Sequence, residues 1–351
     1  MILTNLTRQK LIDDLLTLNE KAFRSTQLFE WVYKQQVFDW EKMTNISKTT
    51  LEVLKNQYQL PHLKVETIQQ SSDGTKKYLF ELTDGNFIEA VLMHYNYGES
   101  VCISTQVGCN MGCAFCASGL NKKKRNLEVW EMVMQVVQID HALKEEGKRL
   151  SHVVIMGIGE PFDNYDNVID FIQIINDGKG LGIGARHITV STCGIVPKIK
   201  CFSDLPLQVN LAISLHFAND TLRSQYMPIN RSYPLSELLP TLEQYYQKTN
   251  RRITFEYILI ADINDSASQA RDLLQLVKPF NSYVNLIPMN ETGGVFKRSS
   301  RERMNHFFNV LAENGINVTL RREQGHDIDA ACGQLRIKRE EKNDRNHHQS
   351  D

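Results

Sequence analysis

Three cysteines, Cys109, Cys113 and Cys116, lie in the short string CNMGCAFC with the spacing C-x3-C-x2-C. Three thiolates on one loop can ligate three irons of a cubane iron–sulfur cluster, and the fourth iron then stays open to another ligand. Zinc is the alternative metal, but structural zinc sites are closed by four ligands, usually paired C-x2-C motifs or Cys with nearby His. No His lies within the loop. Three buried free thiols are the remaining interpretation, and the clustering disfavours it.

A second set of candidate residues follows apolar segments that are typical of buried strands. Gly159 and Glu160 follow HVVIMGI, Ser191 ends HITV, Ser214 and His216 end VNLAISLH, and Asn290 follows YVNLIPM. A carboxylate is a strong acceptor for an ammonium group, and a glycine lets a ligand approach the backbone closely. On sequence alone, His216 is equally typical of a core histidine with satisfied hydrogen bonds.

The segments that must position these residues alternate between strand and helix patterns. Six apolar strand candidates follow the cysteine loop, beginning at residues 152, 187, 209, 253, 283 and 317, and SVCIST precedes it. This alternation predicts a parallel sheet with helical crossovers. About six units are too few for a closed eight-unit barrel, so we predict an α/β fold with a partial (β/α)6 barrel. Its strand ends would gather the polar residues at one mouth.

The chain divides into four predicted regions. Residues 1–60 show helical periodicity and are predicted to form an accessory domain. Residues 61–98 alternate, with Asp-Gly and Tyr-Gly turns, and predict a β-meander. Residues 99–335 form the barrel, and the polar tail 336–351 is predicted to be disordered.

Composition sets the broad class. The 351 residues are 42% hydrophobic and 23% charged, with no apolar run near the roughly 20 residues of a membrane span and no signal-peptide pattern. The seven cysteines suit a reducing compartment, so we expect a cytoplasmic protein. The net charge of −1 leaves nucleic-acid contact to local basic groups, either Lys122–Arg125 or Lys297, Arg298 and Arg301. Such runs are otherwise solvated surface.

Seven motifs together resemble one family. SVCISTQVGCNMGCAFCA, VVIMGIGEPFDN, ITVSTCG, LAISLH, MPIN, VNLIPMN and GHDIDAACGQL are similar, in this order, to the RlmN branch of the RlmN/Cfr family of radical S-adenosylmethionine RNA adenosine methyltransferases. The similarity covers about residues 80 to 337, and the helical residues 1–60 agree in character with the family, which implies that they form an RNA-binding domain. The cysteine spacing alone would indicate only the radical S-adenosylmethionine superfamily.

The resemblance implies cofactors and their ligands. One 4Fe-4S cluster on the three cysteines would bind S-adenosylmethionine and split it into methionine and a deoxyadenosyl radical, with two S-adenosylmethionine molecules used per turnover. The matching cofactor contacts are Gly159, Glu160, Ser191, Ser214, Leu215, His216 and Asn290.

The resemblance also implies three catalytic residues. Cys332 would carry a methyl group whose methylene radical adds to the adenine carbon, Cys102 would release the adduct through a transient disulfide, and Glu89 would accept the proton. In the family Cys102 also shares in proton removal. Without the resemblance, either cysteine would pass as a small buried hydrophobe and Glu89 as an outward carboxylate. Cys193 and Cys201 are assigned no role by these motifs and are interpreted as structural or incidental.

The implied substrates are one adenosine of 23S ribosomal RNA, before ribosome assembly is complete, and the adenosine next to the anticodon, position 37, of some tRNAs, each methylated at C2. An electron donor such as flavodoxin, a monomeric state and no membrane partner complete the expectation. Three alternatives stay open: a Cfr-type enzyme that methylates C8 and confers antibiotic resistance, a different radical reaction, and a zinc-stabilised ribosome-binding module.

Overall fold

The computed structural model describes residues 1–290, 295–321, 324, 325 and 328. Cys332 and the predicted disordered tail, 336–351, lie outside the described residues.

One ten-stranded sheet organises the described chain, in the order β1-β2-β3-β4-β7-β8-β9-β10-β11-β12, and β5 and β6 form a separate two-stranded sheet. The strands are β1 (Lys64–Gln70), β2 (Lys76–Glu81), β3 (Phe87–Tyr95), β4 (Gly98–Cys102), β5 (Gln106–Val107), β6 (Arg125–Asn126), β7 (Leu150–Ile155), β8 (Ile188–Thr192), β9 (Asn210–Ser214), β10 (Ile253–Leu259), β11 (Ser282–Pro288) and β12 (Asn317–Leu320).

From β4 onward the main sheet is parallel. Each neighbouring pair from β4–β7 to β11–β12 runs in the same direction. Helices connect most successive strands, and the sheet order stays open at both ends. The prediction of an α/β fold with an open, parallel (β/α) sheet is confirmed.

The first three strands extend the same sheet in antiparallel fashion. Their turns contain Gly74 and Gly85 with φ of 89° and 76°, a conformation that glycine adopts without strain. Strand β4 is common to both halves, since Ser100 pairs with Met93 of β3 and Val101 pairs with Val153 of β7. The predicted meander is therefore the antiparallel half of one continuous sheet.

The helices cover the parallel half and form the start of the chain. They are α1 (Arg8–Thr17), α2 (Arg24–Phe29), α3 (Lys48–Gln57), α4 (Val129–Glu145), α5 (Tyr165–Asn176), α6 (Val196–Ser203), α7 (Asp220–Tyr226), α8 (Leu235–Thr249), α9 (Ala267–Val277) and α10 (Arg301–Glu313). A π-helical turn, Glu30–Lys34, continues α2. Within the described residues, no helix combines the length and the apolar character that a bilayer crossing needs.

The N-terminal helices pack directly on the parallel half. Leu11 and Leu15 of α1 are fully buried in the same apolar cluster as the sheet. Arg8 donates a 2.7 Å hydrogen bond to Asp177, just after α5. Asn5 accepts one of 2.8 Å from the backbone of Trp130 in α4. Apolar burial and these polar contacts together hold the helices against the core.

Candidate active site

The cysteine loop runs between β5 and a short 3-10 helix, Ala117–Leu120, and its backbone is held from both sides. The Cys109 amide donates to the Asn121 carbonyl at 3.0 Å, and the Cys116 amide donates to the Cys113 carbonyl at 3.1 Å. Gly108 has φ of 74°, and a β-carbon there would lie 2.3 Å from the carbonyl oxygen of Lys122. Glycine is therefore required where the loop turns away from β5.

The three thiols are free and partly exposed. Burial, opposed in part by a backbone hydrogen bond, raises the pKa of Cys109 to about 11, and burial with the neighbouring thiols raises that of Cys113 further. Binding to a cationic centre reverses this preference, because it stabilises the thiolate. No three His, Cys, Asp or Glu side chains among the described residues are close enough to bind one metal ion. The three thiols are thus candidate cluster ligands that are spread along the loop, and they do not converge on the position of one metal ion.

Two hydroxyls near this loop are buried without a hydrogen-bond partner in the described structure, Thr105 Oγ1 and Ser118 Oγ. Thr105 lies beside Gly159, where an added β-carbon would come within 2.8 Å of the threonine hydroxyl. Buried polar groups normally have partners, so unpartnered ones next to a thiol-rich loop fit a site for a polar cofactor. The thiol ligands and these hydroxyls are compatible with an iron–sulfur cluster and a polar co-substrate.

Glu160 is buried just beyond β7, with 4% of its surface exposed. Its Oε1 accepts a hydrogen bond of 3.0 Å from the Phe162 amide, and its Oε2 accepts one of 2.8 Å from the Cys193 amide. Burial raises the pKa of Glu160, and these hydrogen bonds oppose the rise. A buried carboxylate fixed in this way is a suitable acceptor for a ligand ammonium group. Cys193, interpreted from sequence as structural, proves to support Glu160.

Ser191 and Ser214 meet at the ends of β8 and β9, with their hydroxyl oxygens 3.1 Å apart. His216, two residues beyond β9, has φ of 58° and accepts a 3.1 Å hydrogen bond at Nδ1 from the Ile258 amide. Burial, aided by Arg223, lowers the pKa of His216 to about 3, so the ring is neutral. An Nδ1 acceptor leaves the proton on Nε2. The ring of Phe115, in the cysteine loop, lies edge-on to His216 at 5.0 Å.

The remaining predicted cofactor contacts differ in exposure. Leu215 is fully buried, and its carbonyl accepts a 3.2 Å hydrogen bond from Arg223. Asn290 is exposed beyond β11, directly before residues 291–294, which lie outside the described part. The structure thus brings the ends of β7, β8 and β9 and the cysteine loop together, whereas Asn290 lies at the surface beyond β11, which β10 separates from β9.

Glu89 and Cys102 lie on neighbouring strands, β3 and β4, and line one small cavity with Gly157 of the loop after β7. Glu89 is 4% exposed, so it is not the outward, solvated carboxylate that its strand position alone suggests. Burial raises the pKa of Cys102 to about 11, although Arg321 opposes the rise. Both predicted chemical groups therefore open into the space next to the Gly-Glu loop. Their predicted partner Cys332 lies outside the described residues.

Sequence reasoning missed Arg223, which is fully buried in α7. Its guanidinium donates to the carbonyls of Leu215 at 3.2 Å and Cys193 at 2.6 Å, and to Asn230 Oδ1 at 2.6 Å. It therefore ties the ends of β8 and β9 together. The sequence signal was the adjacent MPIN motif, which contains Asn230.

The basic run Lys122–Arg125 is largely engaged within the protein. Lys123 bonds Asp163 at 2.7 Å, and Lys124 bonds Asn86 at 3.0 Å. Arg125 donates to Asp84 at 2.6 Å and, through both terminal nitrogens, to Glu131 at 2.7 and 2.8 Å. Lys122 and Lys124 are the exposed members of the run, and Lys124 is the one of the two that bonds Asn86. Lys297, Arg298 and Arg301 are also exposed.

Comparison with known proteins gives a consistent result. Residues 103–274 match the family model of the radical SAM superfamily, and residues 1–60 match that of the ribosomal RNA large subunit methyltransferase N-terminal domain. The probable dual-specificity RNA methyltransferase RlmN of Enterococcus faecalis is 53% identical over 343 residues, which are 96% of each chain. That of Spiroplasma citri is 53% identical over 336 residues, 95% of this chain and 96% of its own.

A solved structure matches over nearly the full length. The crystal structure of a radical SAM methyltransferase from Sphaerobacter thermophilus is 43% identical, covers 95% of this chain and 98% of its own, and gives a TM-score of 0.90.

The sheet and the superfamily match thus define a radical S-adenosylmethionine enzyme, a class that implies a 4Fe-4S cluster and S-adenosylmethionine as cofactors. Within this class, the chain belongs to the RlmN family of dual-specificity RNA methyltransferases, as the motifs predicted.

Proposed function

We propose that the chain methylates C2 of one adenosine in 23S ribosomal RNA and of the adenosine at position 37 of some tRNAs. The observation that carries the proposal is the shared cavity of Glu89, Cys102 and Gly157. It places a carboxylate and a thiol beside the loop that presents Glu160. The dual specificity of the relatives supports the two kinds of substrate.

The proposed cofactor ligands follow from the loop and the strand ends. Cys109, Cys113 and Cys116 would hold one cluster, which leaves one iron without a protein ligand. The cluster, together with S-adenosylmethionine, supplies a radical that can remove hydrogen from an unactivated methyl group. Glu160 would bind the methionine ammonium group.

The other predicted contacts would position the rest of S-adenosylmethionine. They are Gly159, Ser191, Ser214, Leu215, His216 and Asn290.

Three residues would carry out the methyl transfer itself. The methyl carbon on Cys332, after giving one hydrogen atom to the deoxyadenosyl radical, would bond to adenine C2. Glu89 would accept the proton that C2 must lose, and the one electron left over would return to the cluster. The Cys102 thiolate then attacks the Cys332 sulfur. A disulfide forms, the carbon–sulfur bond breaks with its electron pair on carbon, and that carbon takes up a proton to become the methyl group. An external dithiol resets the disulfide.

Nucleoside mass spectrometry tests the product. RNA from cells that lack the native enzyme is incubated with the anaerobic protein, S-adenosylmethionine and an electron source. We expect 2-methyladenosine in 23S rRNA and at tRNA position 37. If 8-methyladenosine appears instead, the chain is a Cfr-type enzyme, and if neither appears, the proposed function is wrong.

Two further measurements test the cysteine roles. Anaerobic protein is expected to contain about four irons per chain, and a Cys113→Ala variant is expected to lose them. A Cys102→Ala variant is expected to retain RNA bonded to Cys332, which peptide mass spectrometry detects. The matched control is Cys201→Ala, since Cys201 is exposed on α6. Equal iron content in Cys113→Ala and Cys201→Ala would contradict the ligand assignment.

A further inference from the structure

A lysine–glutamate ion pair is buried in the antiparallel half of the sheet. Lys77 lies on β2 and Glu89 on β3, with Nζ of the lysine 3.4 Å from a carboxylate oxygen. The side chain of Lys77 has 0% of its surface exposed and that of Glu89 has 4%. A charge inside a protein is costly unless an opposite charge or hydrogen bonds compensate it. Lys77 and Glu89 therefore compensate each other's buried charge, next to the cavity that Glu89 lines.

The strand register explains how the two side chains meet. Lys77 pairs with Val91, and Leu79 pairs with Glu89, so Lys77 and Glu89 are diagonal neighbours on one face of the sheet. The preceding residue, Lys76, points to the other face and bonds Glu146 at the end of α4 at 2.5 Å. Lys76 and Lys77 thus lie on opposite faces of the sheet, and each pairs with a different glutamate.

The ammonium group of Lys77 lies inside the protein. Because its side chain is fully buried, its ammonium group contacts no RNA phosphate at the surface. Its carboxylate partner, by contrast, lines the cavity with Cys102 and Gly157. An ammonium that holds one carboxylate oxygen restricts the orientation of the whole group, and orientation governs proton transfer.

We propose that Lys77 is a positioning residue for methyl transfer: it compensates the charge of Glu89 and orients its carboxylate toward the cavity. This inference rests on the proposed function, in which Glu89 accepts the proton from the adenine carbon. Lys77 acts through Glu89 and touches neither the RNA nor a cofactor.

A double-mutant cycle tests the inference. The full-length anaerobic enzyme is compared with Lys77→Met, Lys77→Arg, Glu89→Gln and the double variant Lys77→Met/Glu89→Gln. Two products are measured in one reaction: deoxyadenosine, and methylated adenosine of either isomer. The matched control is Lys76→Met, which removes a lysine and an ion pair from the same strand on the opposite face.

We expect Lys77→Met to lower methylated adenosine by about a hundredfold while deoxyadenosine stays within about twofold of wild type. Lys77→Arg keeps the cation, so it is expected to recover about a tenth or more of the methyl transfer. In the Glu89→Gln background, Lys77→Met is expected to cost no further methyl transfer, since the two residues act as one unit. Lys76→Met is expected to match wild type.

Three outcomes would overturn the inference: normal methyl transfer in Lys77→Met, equal loss of deoxyadenosine and methylated adenosine, or additive losses in the double variant. If Lys77→Met is too unstable to assay, the double variant decides, because it removes both charges and is compared with Glu89→Gln alone. Failure of the proposed function has a different signature, since the wild-type enzyme itself would then form no 2-methyladenosine.

Discussion

Two buried carboxylates, Glu160 and Glu89, are stabilised differently in the two halves of the sheet. Glu160 lies beyond the end of a parallel strand and accepts hydrogen bonds from the amides of Phe162 and Cys193. Glu89 lies within an antiparallel strand and faces the ammonium group of Lys77. Backbone amides beyond the end of a strand have no partner on a neighbouring strand, so they can donate hydrogen bonds to a carboxylate. Backbone amides within a strand already donate to the neighbouring strand. The charge of Glu89, a buried carboxylate within a strand, is therefore compensated by a side chain, that of Lys77.

The largest expected effect comes from Glu89→Gln in the antiparallel half. We expect methylated adenosine to fall by about a thousandfold, because a proton acceptor is lost, while deoxyadenosine still forms. Both products are measured by mass spectrometry after anaerobic incubation with RNA. Glu81→Gln is the control, since Glu81 of β2 bonds Lys64 at the sheet edge. If deoxyadenosine fell by the same factor as methylated adenosine, the proposed difference in function between Glu89 and Glu160 would be wrong.

Glu160→Gln in the parallel half is expected to lower both products together, by about a hundredfold, because the proposed charge-assisted hydrogen bond to the ammonium group of S-adenosylmethionine would be weakened. Iron content is expected to stay unchanged. Kinetics at several concentrations of S-adenosylmethionine provide the measurement, with the exposed Asp166→Asn of α5 as control. Retained deoxyadenosine formation would show that the two carboxylates do not divide the work in this way.

Arg125 joins the two halves, since it bonds Asp84 in the β2–β3 turn and Glu131 in α4. The Arg125 guanidinium holds the pKa of Asp84 well below its usual range. We expect Arg125→Met to lower the free energy of unfolding by about 2 kcal/mol, because the Glu131 carboxylate is buried. Urea denaturation is the measurement, and exposed Lys122→Met is expected to stay within about 0.5 kcal/mol of wild type. Equal stability of the two variants would remove Arg125 as a link.

The smallest expected effect concerns RNA affinity at exposed lysines. Lys122→Glu and Lys297→Glu are each expected to weaken RNA binding evenly across sequences, with the slope of log K against log salt concentration reduced by about 1 per lysine. Titrations at several salt concentrations measure this, and Lys200→Glu on α6 is the control. If all three variants bind alike, phosphates contact neither Lys122 nor Lys297.

The sequence predicted the parallel half well, because strands buried on both faces are continuous apolar runs and their ends are marked by polar residues such as Glu160 and Ser214. The antiparallel half was harder. Lys76 and Lys77 are adjacent, and which of them is buried depends on what packs against each face. The burial of Arg223 was also missed, since a charged residue in a short helix is typical of solvated surface, and the nearby MPIN motif does not show which side chain bonds its Asn230.

Because β4 is the strand through which the antiparallel extension pairs with the parallel strands, the candidate proton acceptor and the cofactor loop are carried by two parts of one backbone ladder. This arrangement separates the two sets of residues for protein engineering. Exchange of residues on β2 and β3, with the parallel strands left unchanged, is therefore a direct test of whether the extension determines which nucleobase atom is deprotonated.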